Sequence, residues 1–208
     1  MTKFMQLLTL LGILFILCCK GYKISIEPTD AQPQSRTNRT LDNSQKENEK
    51  TQEKITLTAD EKKKFDSLKH AFKKVIEKLQ EQIGGCQNGN KSKCTGFLDW
   101  LDGDTKKQKE LANAFTTAYN FLDKKRSEKD SEKNFDEYIS DAIDCGQNND
   151  GNSKYGQAGT NEIEQFFRGI LNDMSYKNNN EEMFDCLKKE LLGANDSQNH
   201  LEGLKSWQ

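Results

Sequence analysis

Proline is nearly absent from this chain. Two occur in 208 residues, Pro28 and Pro33, both near the start. From Gln34 onward no proline breaks a helix. Histidine is equally scarce, with only His70 and His200. A nucleophilic site needs a Ser or Cys beside a base and an orienting group, and no such arrangement can be read in the chain. No catalytic or cofactor motif appears either, so the expectation is a protein that is not an enzyme and holds no cofactor and no metal. An excess of one charge is also missing. Lys and Arg total 31 against 33 Asp and Glu, a formal net charge of −2. That argues against a nucleic-acid partner, whose binder usually carries a strongly basic footprint. Hydrophobic residues make up 33% and mean hydropathy is −0.93, both low for a globular protein. A small core under a charged surface, plus a disordered part, follows. No apolar run reaches the ~20 residues of a membrane-spanning helix.

What is present begins at the first residues, MTKFMQLLTLLGILFILCC. Lys3 supplies a positive start, and Leu7 to Leu17 is an apolar stretch of the length of a secretory h-region. Cys18 and Cys19 follow at once and read as a lipid-attachment site. A lipoprotein signal takes an apolar residue three before the cysteine and a small one just before it. For Cys19 these are Ile16 and Cys18; for Cys18 they are Phe15 and the bulky Leu17. Cys19 is therefore favoured over Cys18, with an ordinary signal peptide as the alternative. A diacyl or triacyl anchor on that cysteine suffices for stable attachment to a membrane. Residues 20–54 have few apolar side chains and no helical period, and such a segment cannot bury enough surface to offset its ordering entropy. The organisation expected is a signal peptide over 1–18, a lipidated disordered tether over 19–54 and a helical domain over 55–208.

From Ile55 the pattern becomes that of amphipathic helices. Thr58 and Glu61 fit a capping box. Phe65, Leu68, Phe72, Val75, Ile76, Leu79 and Ile83 follow at helical spacing, and Gly84-Gly85 is expected to stop the helix. A short helix is predicted over Cys94 to Leu101. Asp104 caps a third helix with Leu111, Phe115, Ala118, Tyr119 and Leu122 inward. A fourth is predicted from Ser131 to Asp144. Thr160 is expected to cap a fifth and Asn180 a sixth, closed by Gly193. Leu201, Leu204 and Trp207 form a further turn docked on the bundle. No segment alternates as a strand does. The fold class is all-α: a small bundle of five to six amphipathic helices behind the tether.

The stretches LTADEKKKFDSLKHAF and CQNGNKSKCTGFLDWLDGDTKKQKELANAF, with the lipoprotein signal and charged tether, resemble the multicopy lipoprotein (Mlp) family of the Borrelia spirochaetes. The resemblance is best over Ile55 to Leu122. It implies a lipoprotein of the outer membrane, anchored by its lipid at the cell surface, and a host-interaction role such as immune evasion through a complement or other innate-immune protein. It supplies no binding residue.

Four cysteines remain beyond the signal: Cys86, Cys94, Cys145 and Cys186. Their even number in an exported chain permits disulfides. Pairing Cys86 with Cys94 across a short loop, and Cys145 with Cys186, is the first choice; four half-buried thiols are the alternative. The spacing of Cys86 and Cys94 is too wide for a usual zinc site. Lys62, Lys69 and Lys73 share one face of the first helix and form a candidate contact for a polyanion such as a glycosaminoglycan or anionic lipid. The alternative is a solvated face diluted by acidic neighbours. Phe166, Phe167 and Trp100 suit either an interface or the core. Three roles therefore compete: a module binding a host serum or matrix protein, a periplasm-facing structural lipoprotein of the envelope, and a polyanion binder.

Overall fold

The computed structural model describes residues 55–147, 153–157, 159–194 and 199–208. Cys18, Cys19, the expected signal peptide and the expected tether lie outside the described residues. Those described fold into α1 (Ala59–Leu79), α2 (Lys91–Asp102), α3 (Thr105–Lys129), α4 (Phe135–Cys145), α5 (Glu162–Ser175), α6 (Asn180–Leu192) and α7 (His200–Lys205). No strand occurs among them. The bundle is all-α, with the C-terminal turn as a seventh short helix.

Side-chain caps set most helix starts. The Thr58 amide donates to Glu61 Oε2 at 2.8 Å and the Glu61 amide to Thr58 Oγ1 at 3.1 Å. Asn134 and Glu137 repeat this reciprocal pair at 3.0 Å each way, so α4 begins later than Ser131. Asparagine also displaces the expected caps further on. Asn161 Oδ1 takes the Glu164 amide and Asn179 Oδ1 takes the Glu182 amide, one residue away from Thr160 and Asn180 in each case. The side-chain amide reaches the third helical N–H from there.

Gly84-Gly85 has a different role from the one expected. α1 already ends at Leu79, and two 3-10 turns, Gln80–Gln82 and Gly84–Cys86, follow. The glycines let this segment press against the end of α5. A Cβ on Gly85 would overlap the Ser175 carbonyl. The Gly84 amide donates to Asn172 Oδ1 and the Gly85 amide to Ser175 Oγ, both at 3.0 Å.

The inner faces meet around Phe167, fully buried on α5. Phe72 of α1 stands edge-on to it at 5.9 Å and Phe115 of α3 at 6.1 Å. α1 also packs on α4, α3 on α6, and α5 on α6 and α7. Trp207, 1% exposed, meets Phe121 at 6.3 Å and closes the C-terminal end. Phe166 and Phe167 are therefore core, and Trp100 stacks on Phe97 at 5.8 Å with its edge partly exposed. Tyr155, in the segment between α4 and α5, is buried against Tyr138 at 5.4 Å.

Cys86 and Cys94 are joined by a disulfide, with Cα atoms 6.0 Å apart. Cys145 and Cys186 are free thiols, so the second expected pair is not formed. Cys145 ends α4 and Cys186 lies within α6, and α5 packs against each of those helices. The two thiols accordingly sit in separate surroundings: Cys145 is beside Tyr155, and Cys186 opens on a depression shared with Lys177 and Glu190.

Candidate functional site

The lysine stripe of α1 is largely neutralised. Lys62 pairs with Asp66 one turn on, at 2.6 Å. Lys69 reaches across to Asp102 at the end of α2. Lys73 is exposed and makes no ion pair among the described residues. Helical spacing brings the three to one face, as expected. The acidic partner from α2 is invisible in sequence, because it lies 33 positions away.

Where this face meets α3 and the start of α4, a groove of about 710 Å³ opens. Lys62, Lys63 and Arg126 contribute three cations to its walls; Asp66, Asp123 and Asp136 contribute three carboxylates. Phe135, 6% exposed and stacked on Tyr119 at 4.2 Å, supplies an apolar wall. Contacts within the protein hold part of the groove wall. Arg126 Nε donates to Asp123 Oδ1 at 2.8 Å, and its Nη1 donates to the Lys133 carbonyl at 3.0 Å. The Lys63 ammonium lies 5.8 Å from the centre of the Tyr119 ring. Balanced charge suits a partner with both signs of charge in matching places. It does not suit a uniform polyanion.

Chemistry elsewhere is sparse. His70 Nε2 stands 2.7 Å from Ser140 Oγ, a contact no local motif announces. The pair lies on an open helical surface, and neither residue lines a described cavity. No acid is bonded to the second ring nitrogen among the described residues, so the orienting partner of a nucleophilic triad is missing. Burial pushes the Cys186 thiol up from its ordinary value, which disfavours the reactive thiolate. Burial likewise raises the Tyr138 phenol, whose hydroxyl donates to the Lys154 carbonyl at 2.6 Å.

The sequence profile of the Mlp lipoprotein family matches residues 30–205. The chain belongs to the Mlp lipoprotein family. It is 47% identical to Lipoprotein MlpJ of Borreliella burgdorferi strain B31, covering 99% of both chains. It is 42% identical to Lipoprotein MlpB of the same strain, covering 98% of both. No solved structure matches it. Likeness to the Mlp proteins thus extends past Leu122 and through α5 and α6, beyond the stretch in which the resemblance is plainest by eye. Family membership makes the chain a membrane-associated lipoprotein. The relatives' names state no reaction and no partner. Among the described residues no helix is long and apolar enough to cross a membrane.

Three groove residues, Asp123, Asn134 and Asp136, escape sequence reasoning. The Asn134-x-x-Glu137 capping pair was the available signal. It places the start of α4, and with it the far wall.

Proposed function

We propose that this Mlp lipoprotein is a non-enzymatic, surface-displayed module that binds a host serum or matrix protein, of the complement or innate-immune class. The lipid on Cys19 would hold it to the outer membrane and the segment before Ile55 would carry the helical unit outward. The observation that carries the reading is the mixed-charge groove between α1, α3 and α4. Its three cations and three carboxylates include the Lys62–Asp66 and Arg126–Asp123 pairs, a mixed-charge pattern of the kind that selects one protein surface over others. The neutralised Lys62 and Lys69 weigh against the polyanion reading.

The test is retention of serum and matrix proteins on the immobilised full chain, compared with Lys62→Ala and Asp66→Ala variants over a range of salt. Loss of a specific partner in both variants, with modest salt dependence, supports the groove. A partner lost steeply with salt and only in Lys62→Ala supports a polyanion. Protection of the chain from protease on intact cells, with digestion after lysis, would place it inside the envelope in a bracing role.

A further inference from the structure

The three C-terminal helices bring together a set of donors that neither the groove nor the family accounts for. Asp173 lies in the last turn of α5, Glu190 near the end of α6, and His200 is the first residue of α7. One ligand atom from each falls within 4.8 Å of the other two. His200 Nε2 already stands 3.0 Å from Asp173 Oδ2. Glu190 is 1% exposed, whereas the side chains of Asp173 and His200 keep 26% and 17% of their exposure. The set thus offers one imidazole and two carboxylates to a common point.

The imidazole is placed by construction. Asn199 caps α7, accepting the Glu202 amide at 3.0 Å and donating to the Gly193 carbonyl at 3.0 Å. Leu201 and Leu204 bury the inner side of the same turn. Beneath the ring lies Gly169 of α5. A Cβ there would come 2.5 Å from His200 Cε1 and 2.7 Å from Nδ1, so any side chain at 169 would push the ring away. His200 also lines a cavity of about 380 Å³ with Gln165 and Phe166, and Glu190 lines a separate one of about 370 Å³ with Cys186 and Lys189.

We propose that Asp173, Glu190 and His200 form a binding site for a divalent transition-metal cation of the Zn²⁺ class, with water completing the shell. The ligand chemistry selects the class. Imidazole with two carboxylates suits Zn²⁺ and its first-row neighbours, while Mg²⁺ and Ca²⁺ take all-oxygen shells. Two donors on one Zn²⁺ stand about 3 to 4 Å apart, given ligand distances of about 2.0 to 2.2 Å. Binding would draw the three ligand atoms together from their present spacing of up to 4.8 Å. The bound ion would fasten α7 to α5 and α6, and thereby the C-terminal end to the bundle.

The chain has only two histidines, which makes a direct test possible. The full chain in detergent, stripped with chelator and labelled with ¹⁵N-histidine, is titrated with ZnCl₂. The expected result is one Zn²⁺ per chain, with the His200 ring resonances shifting and those of His70 unmoved. A His70→Gln variant assigns the signals. Glu190→Gln and Asp173→Asn, checked for retained helicity, should each weaken Zn²⁺ binding by about tenfold or more, since even outer-shell changes at metal sites cost about 10- to 100-fold. Unmoved rings at saturating Zn²⁺, a shift at His70 in place of His200, or wild-type affinity in folded Glu190→Gln would each overturn the site. So would equal displacement of Zn²⁺ by Mg²⁺.

Discussion

α1 and the α5–α6 pair bury their faces in different ways. α1 turns Phe65, Leu68, Ala71, Phe72, Val75, Ile76 and Leu79 inward, with Ser67 as its one buried polar residue. The α5–α6 pair buries Glu164, Ser175 and Glu190, and the Asn161 that caps α5, along with its apolar side chains. An apolar face tolerates substitution when volume is kept. A buried polar group does not, because its removal strands a partner. The C-terminal half should therefore be the more sharply specified part of the fold, and the α1 side the more forgiving.

The largest expected effect lies at Asn161. Its side chain accepts the Glu164 amide and donates to the carbonyls of Ala142 and Gly146, both at 2.7 Å. One amide thus closes the end of α4 and opens α5. Asn161→Ala removes a cap, worth about 1 kcal/mol, and strands two carbonyls at about 1 kcal/mol or more each. Denaturant unfolding should show a loss of about 3 kcal/mol. Asn134, the exposed cap of α4, gives the control: Asn134→Ala should cost about 1 kcal/mol. Equal losses at the two asparagines would break the contrast between the halves.

The same contrast governs what the sequence reveals. Helical spacing of apolar residues makes α1 and α3 legible from Phe65 to Leu79 and from Leu111 to Leu122, because solvent lies on the other side of each helix. It does not reveal Asn161, since a buried and an exposed asparagine look alike in sequence. Thr160 beside it is as good a cap by type, and only the α4 carbonyls decide between them. Gly84-Gly85 is likewise ambiguous, since glycine both ends helices and permits close approach. The Mlp resemblance locates the lipoprotein class but no site. The groove and the Asp173–Glu190–His200 set each draw on three helices, and that juxtaposition is a product of packing.

Reduction should rank next. The Cys86–Cys94 bridge closes a loop of sequence separation 8 between α1 and α2. On the chain-entropy account a loop of this size contributes about 2.5 kcal/mol. A reductant should lower stability by that amount in the wild type and leave a Cys86→Ser/Cys94→Ser variant unchanged. Thiol titration of the unfolded, unreduced helical unit should count Cys145 and Cys186 as the reactive pair. In the folded chain Cys186 should react slowly, since burial raises its pKa. A reductant without effect on stability would mean that the α1–α2 corner is held by packing alone, which would extend the forgiving region.

Acid should act chiefly through the exposed helix starts. Hydrogen bonds from backbone amides hold the carboxyls of Glu61, Asp104 and Glu182 below their ordinary values of 4.5, 3.8 and 4.5. A folded value below the unfolded one means that the stabilisation is complete above the ordinary value and is lost as pH falls through the folded value. Stability should therefore decline as pH drops below about 4.5, and less steeply in Glu61→Gln. A decline already complete above pH 5 would point to other titrating groups.

The smallest effect is expected on the outer face of α1. Lys69 and Asp102 make an ion pair whose carboxylate side chain is 49% exposed. Such pairs contribute only about 0 to 1 kcal/mol, because solvent screens the attraction and ordering two long side chains costs entropy. Lys69→Ala should change unfolding free energy by about 0.5 kcal/mol at most, and 1 M salt should reduce even that, since exposed charges are then screened within about 3 Å. The same substitution frees Asp102 and makes the stripe less basic. A polyanion partner would therefore lose affinity in Lys69→Ala, while a protein seated in the groove beside Lys62 and Asp66 would be retained. A loss of several kcal/mol at Lys69 would show that this face is as tightly specified as the α5–α6 pair, and the division of the bundle into a forgiving and an exacting half would fail.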